Sequence, residues 1–282
     1  MVGKVVCSIM VFLTSALFFG VSFAKGVHLA LVPLPSIPDY TKSNGWTQTW
    51  GAQVGASPIF RGSDHYILDI KPEGALQYRN GKHLFFWEGL DINNTEMGWR
   101  GLVSNQWLVQ LGARHEIVIP SGRSEEAGIK ELPHRGSHFL GVVDVKYALG
   151  YGWQNWVSWR LSGGPSSYGW QSKIAAGHNF GDQLDNYGSE VVVFSTFGNA
   201  DNLNNYFGVS DVDSAASGLT PIDLDSGFRS IGLDFYHRRN IGRNSEVSAK
   251  GGIEIYSDDV EKSDLVEDSS QTYVNFSIVW RW

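Results

Sequence analysis

Apolar and polar residues alternate with period two along most of the chain. Trp107, Val109, Leu111 and Ala113 share one face, opposed by Gln106, Gln110, Arg114 and Glu116. Val143, Val145, Tyr147 and Leu149 oppose Asp144 and Lys146, and Trp153, Val157, Trp159 and Leu161 oppose Gln154, Ser158 and Arg160. Further on, Ile174 and Ala176 oppose Gln171 and Lys173. Ile231, Leu233 and Phe235 oppose Asp234 and Tyr236, while Val247, Ala249, Ile253 and Ile255 oppose Glu246, Ser248, Lys250 and Glu254. Period two is the signature of a strand with one apolar and one polar face.

The last strand is the clearest. Val274, Phe276, Ile278, Trp280 and Trp282 fall on one face, and Asn275, Ser277, Val279 and Arg281 on the other. Lipid outside and a polar lumen inside require this pattern. The rival reading is the edge strand of a soluble sandwich, which leaves the terminal tryptophan pair unexplained. Trp280 and Trp282 also resemble the C-terminal assembly signal of bacterial outer-membrane barrels, so barrel-assembly machinery is an expected partner.

Turn signals divide the strands unevenly. Arg79-Asn80-Gly81-Lys82 holds an Asn-Gly hairpin signal, and Gly150 to Gly152 and Asn240 to Asn244 are also short. Pro120 to Arg135, Asp201 to Gly227 and Asp258 to Ser270 read as long and polar. Short periplasmic turns and long outside loops are the habit of transmembrane barrels. The reading is therefore an all-β, antiparallel transmembrane barrel of about 12 strands over residues 46–282. The Leu84 to Ser104 region is ambiguous and leaves roughly 10 or 14 strands open.

The start of the chain reads as processing signal. Lys4 precedes an apolar run from Val5 to Val21, and Ser22-Phe23-Ala24 places small residues before a cleavage between Ala24 and Lys25. A membrane anchor is the alternative, but no basic stop-transfer cluster follows. Residues 1–24 are thus the expected signal peptide. Residues 25–45, with three prolines, are an N-terminal arm, either periplasmic or tucked into the lumen.

Composition narrows the function. Cleavage removes Cys7, the single cysteine, so the remaining chain can form no internal disulfide. It also removes Lys4, one of 22 basic residues, and none of the 29 acidic ones, moving the net charge from −7 to −8. So acidic a chain is a poor nucleic-acid binder. Expected partners are outer-membrane lipid and lipopolysaccharide.

No catalytic, cofactor or metal residues are assigned. His134-Arg135-Gly136-Ser137-His138 sets a serine beside two histidines, but Ser137 and His138 would point to opposite strand faces, out of mutual reach. Asp258, Asp259, Glu261, Asp264, Glu267 and Asp268 read as a solvated acidic loop. Ca²⁺ or Mg²⁺ binding is the alternative, although the spacing fits no calcium-loop motif. Inward charges of both signs, among them Arg114, Glu116, Asp144, Lys146, Arg160 and Glu254, would pack a small lumen. Alternatively they would line a narrow pore.

Several stretches resemble the MipA/OmpV family. Tyr206-Phe207-Gly208-Val209-Ser210 is followed by Ala215-Ala216-Ser217-Gly218-Leu219, Asp225-Ser226-Gly227-Phe228 and Gly232-Leu233, with Ala200-Asp201 before them. Pro58-Ile59-Phe60-Arg61-Gly62-Ser63-Asp64 resembles the family's Gly-Ser-Asp turn, and Gly122-Arg123 with Glu125-Glu126 its Gly-Arg-acidic loop. Pro221-Ile222, where the family often has an aromatic, and the final Trp282, where it favours phenylalanine, depart from the pattern. The resemblance implies a non-enzymatic scaffold linking the outer membrane to a periplasmic murein hydrolase or synthase. The alternative is a small-solute channel. Asp201 to Gly227 bears on the choice, because folded into the barrel it would block transport.

Overall fold

The structure is a computed structural model, described for residues 44–90, 95–118, 135, 137–150, 152–180 and 187–282. The expected signal peptide with Ala24 and Lys25, the expected arm to residue 43, and most of Pro120 to Arg135 lie outside the described residues.

Twelve antiparallel strands close into a single barrel. They are β1 (Gly45–Pro58), β2 (Tyr66–Asn80), β3 (His83–Glu88), β4 (Glu96–Leu102), β5 (Trp107–Ile117) and β6 (Ser137–Ala148). β7 (Asn155–Gly163), β8 (Trp170–Phe180), β9 (Tyr187–Gly198), β10 (Gly227–Asn240), β11 (Ser245–Tyr256) and β12 (Ser270–Arg281) complete the ring. Each strand pairs with its sequence neighbours, and β1 closes on β12 from Thr49↔Arg281 to Ala56↔Val274. Closure supplies backbone partners that lipid cannot.

The faces follow the alternation. Trp107, Leu111, Trp159, Ile174, Leu233, Phe235 and Phe276 are exposed on the outside, while Gln110, Arg114, Asp144, Arg160 and Lys173 are buried in the lumen. Trp153 departs from the expected lipid face: it sits in the β6–β7 turn and packs against the inward cluster around Trp156 and Phe194. A turn residue is not held to strand alternation, so its ring can fold under the barrel wall.

The short turns gather at the end of the barrel where β1 starts and β12 finishes. At the β2–β3 turn Gly81 takes a φ of +57°, the left-handed conformation an Asn-Gly hairpin requires. The β1–β2, β5–β6, β9–β10 and β11–β12 connections lie at the other end. β3 and β4 are short, at 6 and 7 residues. β2 pairs with β1 from Tyr66 to Arg79 but with β3 only from Ala75 to Asn80. The barrel wall therefore dips beside the outer half of β2.

The C-terminal residue is pinned into the closing seam. Trp282 donates its backbone N–H to the Gln48 carbonyl at 2.9 Å and accepts from the Gln48 N–H at 3.2 Å, with its side chain 67% exposed. Trp282→Asp replaces an interfacial aromatic with a charge. We expect lower outer-membrane levels of this variant, read as the heat-modifiable band in semi-native gels. Unchanged levels would show that the terminal aromatic has no part in assembly.

Candidate functional site

The segment between β9 and β10, expected as a long polar loop, is instead helical and packed into the barrel mouth. Asn199 caps α1 (Ala200–Phe207) by accepting from the Asn202 N–H at 3.2 Å. Leu203, Tyr206 and Phe207, at i, i+3 and i+4, form its buried face. α2 (Asp211–Ser217) begins with a capping box in which Ser210 and Asp213 satisfy each other's backbone N–H groups. It ends on Gly218 at φ +77°. Val209 and Ile222 form an antiparallel bridge, and Asn204 holds the return by donating to Asp223 at 2.6 Å and accepting from the Leu224 N–H at 2.7 Å.

Arg135 clamps the end of α1. Its guanidinium donates to the carbonyls of Asn204 (2.9 Å), Asn205 (3.1 Å) and Gly208 (2.6 Å), and to the Asp213 carboxylate (3.2 Å). A cation is favoured at the negative end of a helix. Burial pushes this guanidinium below its ordinary pKa, and Asp213 opposes the shift.

One apolar cluster bridges the mouth. Ile59 and Phe60 come from the β1–β2 loop, Leu140 from β6, Tyr168 from the β7–β8 loop, and Val260 and Leu265 from the β11–β12 segment. Leu203, Tyr206, Phe207, Val209 and Leu224 fill the space between them. Contributions from opposite sides of the ring meet in this cluster, so it lies across the opening.

The acidic loop is only partly solvated. Asp258, Asp259 and Glu261 belong to a short helix, α3 (Asp258–Glu261), whose Val260 is buried. Asp264 accepts from the Thr220 N–H at 2.6 Å, which holds its carboxyl below the usual range. The Glu267 and Asp268 N–H groups donate to the Gly62 carbonyl at 2.7 and 3.1 Å. A Cβ at Gly62 would stand 2.4 Å from the Leu265 carbonyl oxygen, so only glycine fits there. Glu267 also brings its carboxylate within 4.8 Å of donor atoms on Asp64 and His65, all three residues being exposed.

Beneath the apolar layer lies a buried polar network. Tyr168 and Tyr206 share a hydroxyl hydrogen bond of 2.9 Å, and Tyr206 donates to Glu116. Burial, and then the Glu116 charge, holds both phenols well above their ordinary pKa, so they remain protonated donors. Arg61 sits between Glu116 (3.6 Å) and Glu254 (3.7 Å), its guanidinium 5.0 Å from the centre of the Tyr206 ring. Arg229 adds a 3.0 Å pair with Glu254 and a 2.9 Å bond to Gln171.

Deeper in the lumen the charges pair again. Arg160 meets Glu96 at 2.6 Å and Asp144 at 3.5 Å, and Arg100 meets Glu88 at 3.3 Å. Lys146 lies 3.6 Å from Glu190 and 3.6 Å above the Trp156 ring, while Lys173 lies 3.8 Å above Phe194. Asp144, Lys146 and Arg160 are 3% exposed or less. Buried charges persist only where partners surround them, and an aromatic face is one such partner.

The family-motif residues converge on the mouth. Tyr206, Phe207 and Val209 enter the cluster, Gly208 follows α1, Ser210 caps α2, Ser217 and Gly218 close it, and Leu219 packs against the cluster. Ser137 is exposed, whereas His138 turns to the Tyr168 ring at 5.3 Å, so the two do not meet. Arg229 and the inward Trp156 and Phe194 were not singled out by sequence reasoning, and Arg61 was quoted only as part of the Gly-Ser-Asp turn. Nothing local distinguishes them, because their partners are strands distant in sequence.

Solved structures similar to this chain include hydrocarbon transporters and a porin. The toluene transporter TodX of Pseudomonas putida is 6% identical over 92% of this chain and 95% of its own, with a TM-score of 0.43. The CymD monoaromatic hydrocarbon channel is 10% identical over 93% of each chain, with a TM-score of 0.43. OprB of Pseudomonas putida is 8% identical over 84% of this chain and 94% of its own, with a TM-score of 0.37. No curated protein matches the sequence. Residues 50–282, almost the whole barrel, match the family described as MltA-interacting protein MipA, and the chain belongs to that family as an outer-membrane β-barrel protein.

Proposed function

We propose that this protein is a non-enzymatic scaffold that holds a periplasmic murein enzyme at the outer membrane. One observation carries the reading: the apolar cluster lies across the outer mouth over a lumen of paired, buried charges. Such a barrel is built to stand in the membrane rather than to pass solute. The name of the family, MltA-interacting protein, supplies the kind of partner.

A channel for small solutes is the second reading, and one feature favours it. Gln53, Glu73, Lys250 and Ser277, on the β1, β2, β11 and β12 wall, are only half-buried, so that side of the lumen holds space for water.

Affinity capture from detergent-solubilised envelopes, paired with planar-bilayer recording on the same material, separates the two. The scaffold reading expects a co-purifying murein enzyme and no steady conductance. Deleting Pro33 to Lys42 should leave the barrel folded and weaken capture. Steady conductance with no captured enzyme would replace the scaffold by the channel.

A further inference from the structure

We propose that one half of the periplasmic rim binds the cell-wall polymer itself through its carboxylates. The proposal rests on the orientation that puts the C-terminus in the periplasm, and it goes beyond capture of an enzyme.

Among the described residues the rim is uneven in charge. Among the described residues within three positions of its turns, the charged side chains that are not buried are Arg79, Lys82, Arg238, Arg239, Arg243 and Arg281. All are basic. They come from the β2–β3 turn, the β10–β11 turn and the end of β12, so they occupy one continuous arc from β10 through β12 and β1 to β3. The described residues of the β4–β5 and β6–β7 turns, across the ring, carry no exposed charge.

Within the arc the residues differ in availability. Lys82, Arg239 and Arg243 are exposed. Arg79 and Arg238 are half-buried with contacts of their own, and Arg281 pairs with Glu246 at 2.6 Å. That pair neutralises the buried carboxylate nearest the rim. Lys82 and Arg243 stand on the turns themselves, and Arg239 sits on the outward face of β10 at the membrane edge. By contrast, the outer connections present Asp201, Asp211, Asp223, Asp225, Asp258, Asp259 and Glu261 to solvent.

The shape selects the partner. At about 4.8 Å per strand, the four strand steps from the β10–β11 turn to the β2–β3 turn span roughly 20 Å. The cations form a single row along the wall's edge, one short turn deep. A stable protein interface needs about 800 Å² on each side with an apolar centre, and a row one turn deep is narrow for that. A linear polyanion needs only spaced cations. Peptidoglycan is such a polymer, bearing free carboxylates on its stem peptides, and guanidinium groups match carboxylates in planar, two-point contacts.

The test is co-sedimentation of the full mature protein, in detergent micelles, with purified peptidoglycan sacculi at low and high salt. Wild type should sediment at low salt and be released at high salt, since exposed charges are screened. K82E/R239E/R243E, with heat-modifiability establishing that it folds, should bind roughly tenfold more weakly, as several exposed pairs acting together would lose. D258N/D259N, on the opposite face, should bind like wild type. Equal sedimentation of the triple variant and wild type would overturn the proposal. So would failure of wild type to sediment. If wild type captures a murein enzyme but not sacculi, the scaffold stands and this inference falls. If the triple variant loses the enzyme while keeping the sacculi, the row is a protein contact, which also overturns it.

Discussion

Leu233→Arg should destabilise the barrel by about 2–4 kcal/mol, the range for a lipid-facing arginine near the bilayer midplane. Leu233 lies near the middle of β10 and is 44% exposed on the outer wall. Its cross-strand neighbours, Val193 and Ile253, share that face, so the new charge would meet hydrocarbon on every side. Ser248→Arg is the matched control. Ser248 faces the lumen, where its hydroxyl meets that of Ser277 at 2.7 Å and water reaches the half-buried wall. Arginine there should change stability far less. Urea titration of both variants in lipid vesicles, followed by tryptophan fluorescence, checks the contrast. Equal losses would mean that the faces are reversed or that the belt does not contact lipid.

The second large effect belongs to the mouth. Phe207 is fully buried, 5.3 Å from the Tyr256 ring, and Ser263 donates to its carbonyl. Phe207→Ala should remove about 3–5 kcal/mol, as for phenylalanine truncations in packed cores. The loss falls on the helical segment more than on the strands, because the ladders do not depend on that side chain. The expected result is a barrel still folded by heat-modifiability whose β9–β10 segment has become open to added protease. Planar-bilayer recordings should then show conductance absent from wild type. A variant that stays protease-resistant and silent would show that the cluster is not what closes the mouth.

The strands were legible where lipid and lumen make opposite demands. β5, β6, β7 and β12 alternate because their outward positions carry exposed apolar residues and their inward positions gather the buried polar and charged ones. β3 was not, since Leu84 and Phe86 face inward while Phe85 and Trp87 face outward, leaving no period to read. Its inward Phe86 packs beneath Arg100, 4.5 Å from the ring centre, a partner that only strand pairing reveals. The mouth was hidden for a related reason. The helical face of Leu203, Tyr206 and Phe207 sits in a segment rich in Asn, Asp and Ser, whose capping roles at Asn199 and Ser210 resemble loop composition. The inward charges were readable singly, but their pairing was not: Arg61 lies 55 residues from Glu116 and 193 from Glu254, by their numbers in the chain. At the β10–β11 turn Arg239 and Arg243 are exposed, while Arg238 turns toward the lumen with Tyr236 because strand alternation still governs it.

The way the ring closes has a consequence for the order in which the protein is built. Every seam but one joins neighbours in sequence, so most hairpins can form as soon as both their strands emerge. The β1–β12 seam must wait for the whole chain, and bringing such distant segments together is the slow, entropically opposed step. Until then two bare strand edges face outward, the state most open to mispairing. The mouth supplies a latch for this moment. Gly62 accepts from Glu267 and Asp268, Gln271 donates to the carbonyls of Phe60 and Ser63 at 3.1 Å, and Tyr66 meets Thr272 at 3.2 Å. Each contact ties the first hairpin to the last. A chain stalled before Ser270 would hold nearly all of its hairpins and still be an open sheet, with one edge of its first strand unpaired and the Gln271 and Thr272 contacts of its latch missing.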